Sequence, residues 1–259
     1  MKSLNYSFSL LFIIFLVCAL PASVSGKGYF LMKMYSFQNE QQEQLMDSYL
    51  KDAYLPALHR AGIKEVGVFQ TIEGRNSDDK RIIVFIPLNS LKEFEKLNNK
   101  LESDKDFASK TKSFSEIQYD TPPYERMETC LLKAFSGYPG YVVPEFDGPR
   151  EKRVYELRSY ESATEELHKR KVMMFDKGES ELFTKLGFQP LFFARVISGA
   201  RMPNLMYMTC HENEEAQAAN WKSFTESADW KEMKNLEIYK NTVSHIDKWM
   251  LFPKEYSDI

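Results

Sequence analysis

The chain has 259 residues, 43 % of them apolar and 14 % aromatic. That suffices for one large domain or two ordinary ones, and it excludes a disordered, collagen-like or low-complexity protein. Lys and Arg number 34 against 37 Asp and Glu, a net charge of −3, so there is no basic excess to meet nucleic-acid phosphates.

Lys2 precedes an apolar run from Leu10 to Leu20, which Pro21 breaks before the small residues Ala22 to Gly26. This layout predicts a secretory signal peptide over residues 1–26 and an exported protein, periplasmic or extracellular. The run falls short of the roughly 20 residues that a bilayer span needs. A retained anchor and a lipid-bearing Cys18 are the alternatives. No later stretch is long and apolar enough to span. Of the remaining cysteines, Cys130 and Cys210 both sit in apolar, strand-like runs, which favours unpaired core thiols over a disulfide.

Tyr29 to Tyr35 opens the rest of the chain as a strand. Polar, periodic sequence follows, with Leu45, Tyr49, Leu55 and Leu58 at helical spacing up to Gly62, where a helix C-cap wants left-handed backbone. Val66 to Phe69 and Arg81 to Ile86 read as strands joined by the turn-forming Gly74 to Asp79. A helix over Leu91 to Leu101 and a strand over Met127 to Phe135 complete the half. Val154 to Tyr160 then repeats the opening strand 125 residues on, and Gly187 stands 125 residues after Gly62. Between them, Ser162 or Thr164 caps a helix. Leu191 to Ala194 and Leu205 to Cys210 are strands around the turn Ser198 to Asn204. Asn213 to Leu236 reads as one helix and His245 to Leu251 as the last strand.

The order is β-α-β-β-α-β, twice. Each half is a ferredoxin-like unit with helices on one sheet face, so the other face must be covered. The expected fold is therefore α+β, with tandem ferredoxin-like repeats over 27–136 and 151–259 closing one internal dimeric α+β barrel. The Pro- and Gly-rich stretch 137–150 is the linker.

The second half also resembles a known family. Tyr155-Glu156-Leu157-Arg158-Ser159-Tyr160-Glu161-Ser162, the strand with Phe192-Phe193, the run Gly199-Ala200-Arg201-Met202-Pro203-Asn204-Leu205-Met206-Tyr207-Met208, and Trp221-Lys222-Ser223-Phe224 resemble the NIPSNAP family, in its order and over most of 153–252. The first half lacks the Tyr-x-Leu-Arg strand and the Met-Pro-Asn turn. The resemblance implies a dimeric α+β barrel. That fold group holds haem-degrading and quinol monooxygenases, chlorite dismutases and proteins without known activity, so it implies no catalytic set.

Strand alternation supplies candidate ligand residues. Glu156, Arg158 and Tyr160 share one face, and Lys33 and Tyr35 share the matching face of the first half. With Tyr155 and Leu157 packed under the helices, this polar face would look into the barrel. Arg158 is then either half of a structural ion pair with Glu156 or a fork for an anionic ligand. Arg201 and Asn204 form either a pocket mouth or a plain β-turn. Tyr207 is a core aromatic that could instead stack on a flat ligand. His59 and His168 read as solvated helix faces and His211 as a turn residue. His245 is the one candidate ligand for haem or metal, and no metal-binding spacing surrounds it. No nucleophile elbow, phosphate loop or dinucleotide glycine pattern is present. The expected function is binding of a small organic ligand in or beside the barrel, without a predicted cofactor. A cofactor-free or haem-dependent monooxygenase-like enzyme and a homo-oligomeric structural module are the alternatives.

Overall fold

The computed structural model describes residues 28–75 and 80–259; the expected signal peptide and the tip of the Gly74 to Asp79 turn lie outside them. The described strands are β1 (Tyr29–Phe37), β2 (Gly67–Thr71), β3 (Lys80–Leu88), β4 (Arg126–Ala134), β5 (Val154–Glu161), β6 (Gln189–Ser198), β7 (Asn204–His211) and β8 (His245–Pro253). They form a closed barrel in the order β1-β3-β2-β8-β5-β7-β6-β4. Every pairing is antiparallel. Each half runs β-α-β-β-α-β, as expected. The halves meet at two seams. At one, Phe69 of β2 faces Pro253 of β8; at the other, Lys133 of β4 faces Arg195 of β6. Closure leaves neither half an open edge.

The helices lie outside the barrel. In the first half, α1 (Glu40–Tyr49) and α2 (Leu55–Arg60) flank a π-helical segment, Leu50–Tyr54; α3 (Leu91–Glu102) is followed by the short α4 (Lys105–Lys110) and α5 (Lys112–Ser115). In the second, α6 (Glu165–Met174) and α7 (Ser180–Lys185) flank the π segment Phe175–Glu179. The caps are local chemistry. Thr164, not Ser162, accepts the amide of Leu167, and Asn213 accepts that of Ala216. Gly62 and Gly187 both take positive φ, at +97° and +86°. The single helix expected over Asn213 to Leu236 is instead α8 (Glu214–Glu226) and α9 (Ala228–Asn235). Ser227 turns extended between them (ψ 142°) and caps α9 through the Trp230 amide. A serine hydroxyl that competes for backbone amides ends the first helix and starts the second.

The barrel interior is filled. Phe30, Phe69, Phe85, Tyr155, Leu157, Phe192 and Met208 share one buried cluster. Phe85 stacks on Phe192 at 5.2 Å, and Phe69 meets Tyr155 at 4.8 Å. An eight-stranded barrel is just wide enough for such side chains. Beyond β8, the C-terminal segment folds over one barrel end. Ile259 is buried in the interior cluster, and Asp258 pairs with the Val66 backbone. Two further clusters lie between strands and helices, one in each half. Cys130 and Cys210 are both buried and free, and burial raises both thiol pKa values.

Candidate functional site

The structure reverses the expected facing of β5. Tyr155 and Leu157 point into the barrel, while Glu156, Arg158 and Tyr160 lie on the outer face beneath the helices. The reason is energetic. Among the described residues the middle of the lumen is lined by apolar side chains that offer no partner for a charge, whereas α8 brings two donors. Glu156 Oε1 accepts from Arg158 Nε at 2.6 Å, and its Oε2 accepts from Gln217 (2.8 Å) and the Trp221 indole (2.5 Å). The Arg158 guanidinium lies 3.6 Å from the centre of the Trp221 ring and donates to the Tyr160 hydroxyl, which bonds Tyr207 at 2.7 Å. Burial opposes the Arg158 charge, but Tyr207, Tyr160 and Glu156 together hold its pKa above the usual value. Burial pushes the Tyr207 phenol well up. Beside this network Lys171 donates to Glu179 at 2.7 Å, both inside the helical layer. Burial lifts Glu179 above the usual carboxylate range, although Lys171 opposes the shift. These partners satisfy one another. Glu156 and Arg158 form an ion pair of 2.6 Å within this network.

Lys33 and Tyr35 occupy the matching outer face of the first half. Among the described residues no carboxylate pairs with Lys33; its ammonium lies 5.1 Å from the Tyr54 ring and 5.8 Å from that of Tyr35. Burial lowers its pKa. Arg201, Asn204 and His245 gather elsewhere, at the barrel rim opposite the C-terminal segment. Arg201 reaches Glu161 at 3.4 Å and also Asp247, and His245 stands 3.3 Å from Asp247. The nine residues singled out in the sequence thus fall into three separate places. His211 is the last residue of β7, not a turn residue. It is buried, contacts Thr209 and Asn220 through its two ring nitrogens, and burial lowers its pKa to about 4. His245 is exposed at this rim, its Nε2 3.3 Å from Asp247 and near Glu161.

A fourth place was not foreseen. At the β4–β6 seam Lys133 and Arg195 are direct cross-strand neighbours, an arrangement that like charges disfavour. Both line one cavity of about 310 Å³ with Ala134, Phe135, Pro139 and Val172. An adjoining cavity of about 310 Å³ shares Arg195 and Val172 and adds His168, Lys169 and Lys177. Asp176 also lines both, but its carboxylate accepts from Ser136 Oγ (2.7 Å) and the Gly137 amide (2.8 Å). Among the described residues neither Lys133 nor Arg195 has a carboxylate partner. Burial, and then Arg195, lower the pKa of His168. The sequence signal was a lone cation in each of two apolar strand runs, Leu131-Leu132-Lys133-Ala134 and Phe192-Phe193-Ala194-Arg195-Val196-Ile197. It carries no information on which strands become neighbours.

Residues 155–258 match the NIPSNAP family. Among solved structures, a protein from Fusobacterium nucleatum subsp. nucleatum ATCC 25586, described provisionally as a monooxygenase, aligns over 88 % of this chain and 93 % of its own, at 7 % identity and a TM-score of 0.57. An anthrone oxidase-like protein aligns over 91 % and 95 %, at 11 % identity and 0.55. A protein from Lactobacillus acidophilus NCFM, with the same provisional description as the first, aligns over 88 % and 94 %, at 11 % and 0.52. At such identities the likeness is one of fold: a dimeric α+β barrel. No curated protein matches the sequence.

Proposed function

We propose that this chain, whose residues 155–258 carry a NIPSNAP domain, binds a small organic anion beside its barrel, in the groove at the β4–β6 seam. The observation that carries the reading is the registered Lys133–Arg195 pair lining a cavity with an apolar wall and no free carboxylate. A carboxylate or similar anion would relieve the repulsion, and Val172, Phe135 and Pro139 would take its hydrocarbon part. Residues 1–26 support export as part of the same reading. Calorimetric titration with a panel of short aliphatic and aromatic carboxylates tests it. Arg195→Ala should weaken binding by roughly tenfold or more, the scale of a lost hydrogen bond to a charged group, with an unchanged melting curve. Equal binding by the variant, or none by the wild type, defeats the reading.

A monooxygenase-like activity is the second reading, suggested by the descriptions of the structural neighbours. What favours it here is Lys33, an amine with a lowered pKa beside Tyr35 and Tyr54. Burial of this kind favours the neutral amine, the form that would act as a base toward a phenolic or enolic substrate. Oxygen uptake with quinols, lost in Lys33→Met, would support it.

A further inference from the structure

We propose that the barrel rim opposite the C-terminal segment is a divalent-cation site built from Glu161, His245, Asp247 and Asn204, for which Arg201 acts as a resident, exchangeable cation. The register sets the donors side by side. Asn204 of β7 faces Glu161 of β5, and Glu161 faces His245 of β8. Directly paired residues project to the same side of a sheet. Asp247 lies two residues beyond His245 and therefore shares that side. One donor atom from each of Glu161, His245 and Asp247 lies within 4.8 Å of the other two.

Arg201 already shows that these carboxylates attract a positive charge, but it meets only part of the donor set. Its Nη1 reaches Glu161 and Asp247. It leaves Asn204 Oδ1, a buried atom on a residue only 2 % exposed, without a hydrogen-bond partner among the described residues. The Asn204 amide is anchored the other way, donating to Ser159 Oγ at 3.0 Å. Its unpartnered oxygen thus belongs to a side chain held on the same inner face, next to Glu161. Among the described residues, His245 Nε2 has only the 3.3 Å approach to Asp247 Oδ1. Two carboxylates, an imidazole and a carboxamide oxygen form the mixed nitrogen and oxygen set that suits zinc or manganese. Arg201 can leave. Its side chain is 42 % exposed, on a turn where its own φ is +63°, left-handed backbone that is costly for a non-glycine residue.

The test is calorimetric titration of the EDTA-treated full chain with Zn²⁺ alone, then with Mn²⁺ alone. The wild type should bind one Zn²⁺ per chain. Arg201→Ala should bind it at least tenfold more tightly, because the competing cation is gone, and His245→Ala at least tenfold more weakly. Both substitutions are at exposed positions, and melting curves in EDTA verify that each variant is folded. X-ray absorption at the zinc edge should report nitrogen and oxygen neighbours and no sulfur. Absence of binding in both the wild type and Arg201→Ala overturns the proposal. So does a His245→Ala titration that matches the wild type, or an Arg201→Ala affinity no higher than the wild type's.

Discussion

Arg158 is largely buried, its side chain 13 % exposed, with its charge intact because the polar groups around it are matched. Glu156, Tyr160 and Trp221 surround the guanidinium, and Gln217 and the indole occupy the remaining Glu156 oxygen. Removing one member strands the others. Arg158→Ala should cost about 3–5 kcal/mol, the scale for breaking a buried pair, read as a lower denaturant midpoint. A variant as stable as the wild type would instead mark Arg158 as free for a ligand. His211 gives a pH signature. Burial holds its folded pKa at about 4, below the usual imidazole value of about 6.5. The unfolded chain therefore binds the proton more readily, and stability falls as pH drops from 6.5 towards 4. The loss is of order 3 kcal/mol at most. Melting curves across that range should fall more steeply for the wild type than for His211→Gln.

At the scale of elements, the two halves use matching devices at matching places. Each first helix passes through a π segment, Leu50–Tyr54 and Phe175–Glu179, and each stops at a glycine of positive φ, Gly62 and Gly187. The glycine stops were legible because a left-handed C-cap has few side-chain solutions. The π segments were not, since an extra residue in a turn leaves little trace in helical spacing. Gly187→Ala should cost about 1 kcal/mol by forcing a Cβ into left-handed backbone, seen as a melting point a few degrees lower. The break at Ser227 within the expected Asn213–Leu236 helix is illegible for a related reason. A serine within a helical run can bond outward or end the helix, and the spacing of α8 and α9 does not distinguish the two.

At the scale of the molecule, the barrel exists because each half lacks what the other supplies. The inner face of the second half presents Tyr155, Leu157, Met208, Trp249 and Leu251, with β6 and β8 as its open edges. Residues 151–259 produced alone should therefore self-associate through that face and those edges. Sedimentation should show dimers or larger species; a stable monomer would mean that the seams contribute little to the fold.

Local pattern in the sequence was enough for the strand and helix order, the glycine stops and the ferredoxin-like reading of each half. Those features depend on residues within one or two turns of each other. Which way β5 faces, and which charges become neighbours, were decided only by closure of the barrel. Alternation sorts Glu156 from Tyr155 but does not say which side is the lumen. That depends on the apolar packing that fills the middle of the barrel, and on Trp221 and Gln217 arriving some sixty residues later. Lys133 and Arg195, or Asn204, Glu161 and His245, become neighbours through strand pairing across long stretches of chain, and strand pairing is set by the global register.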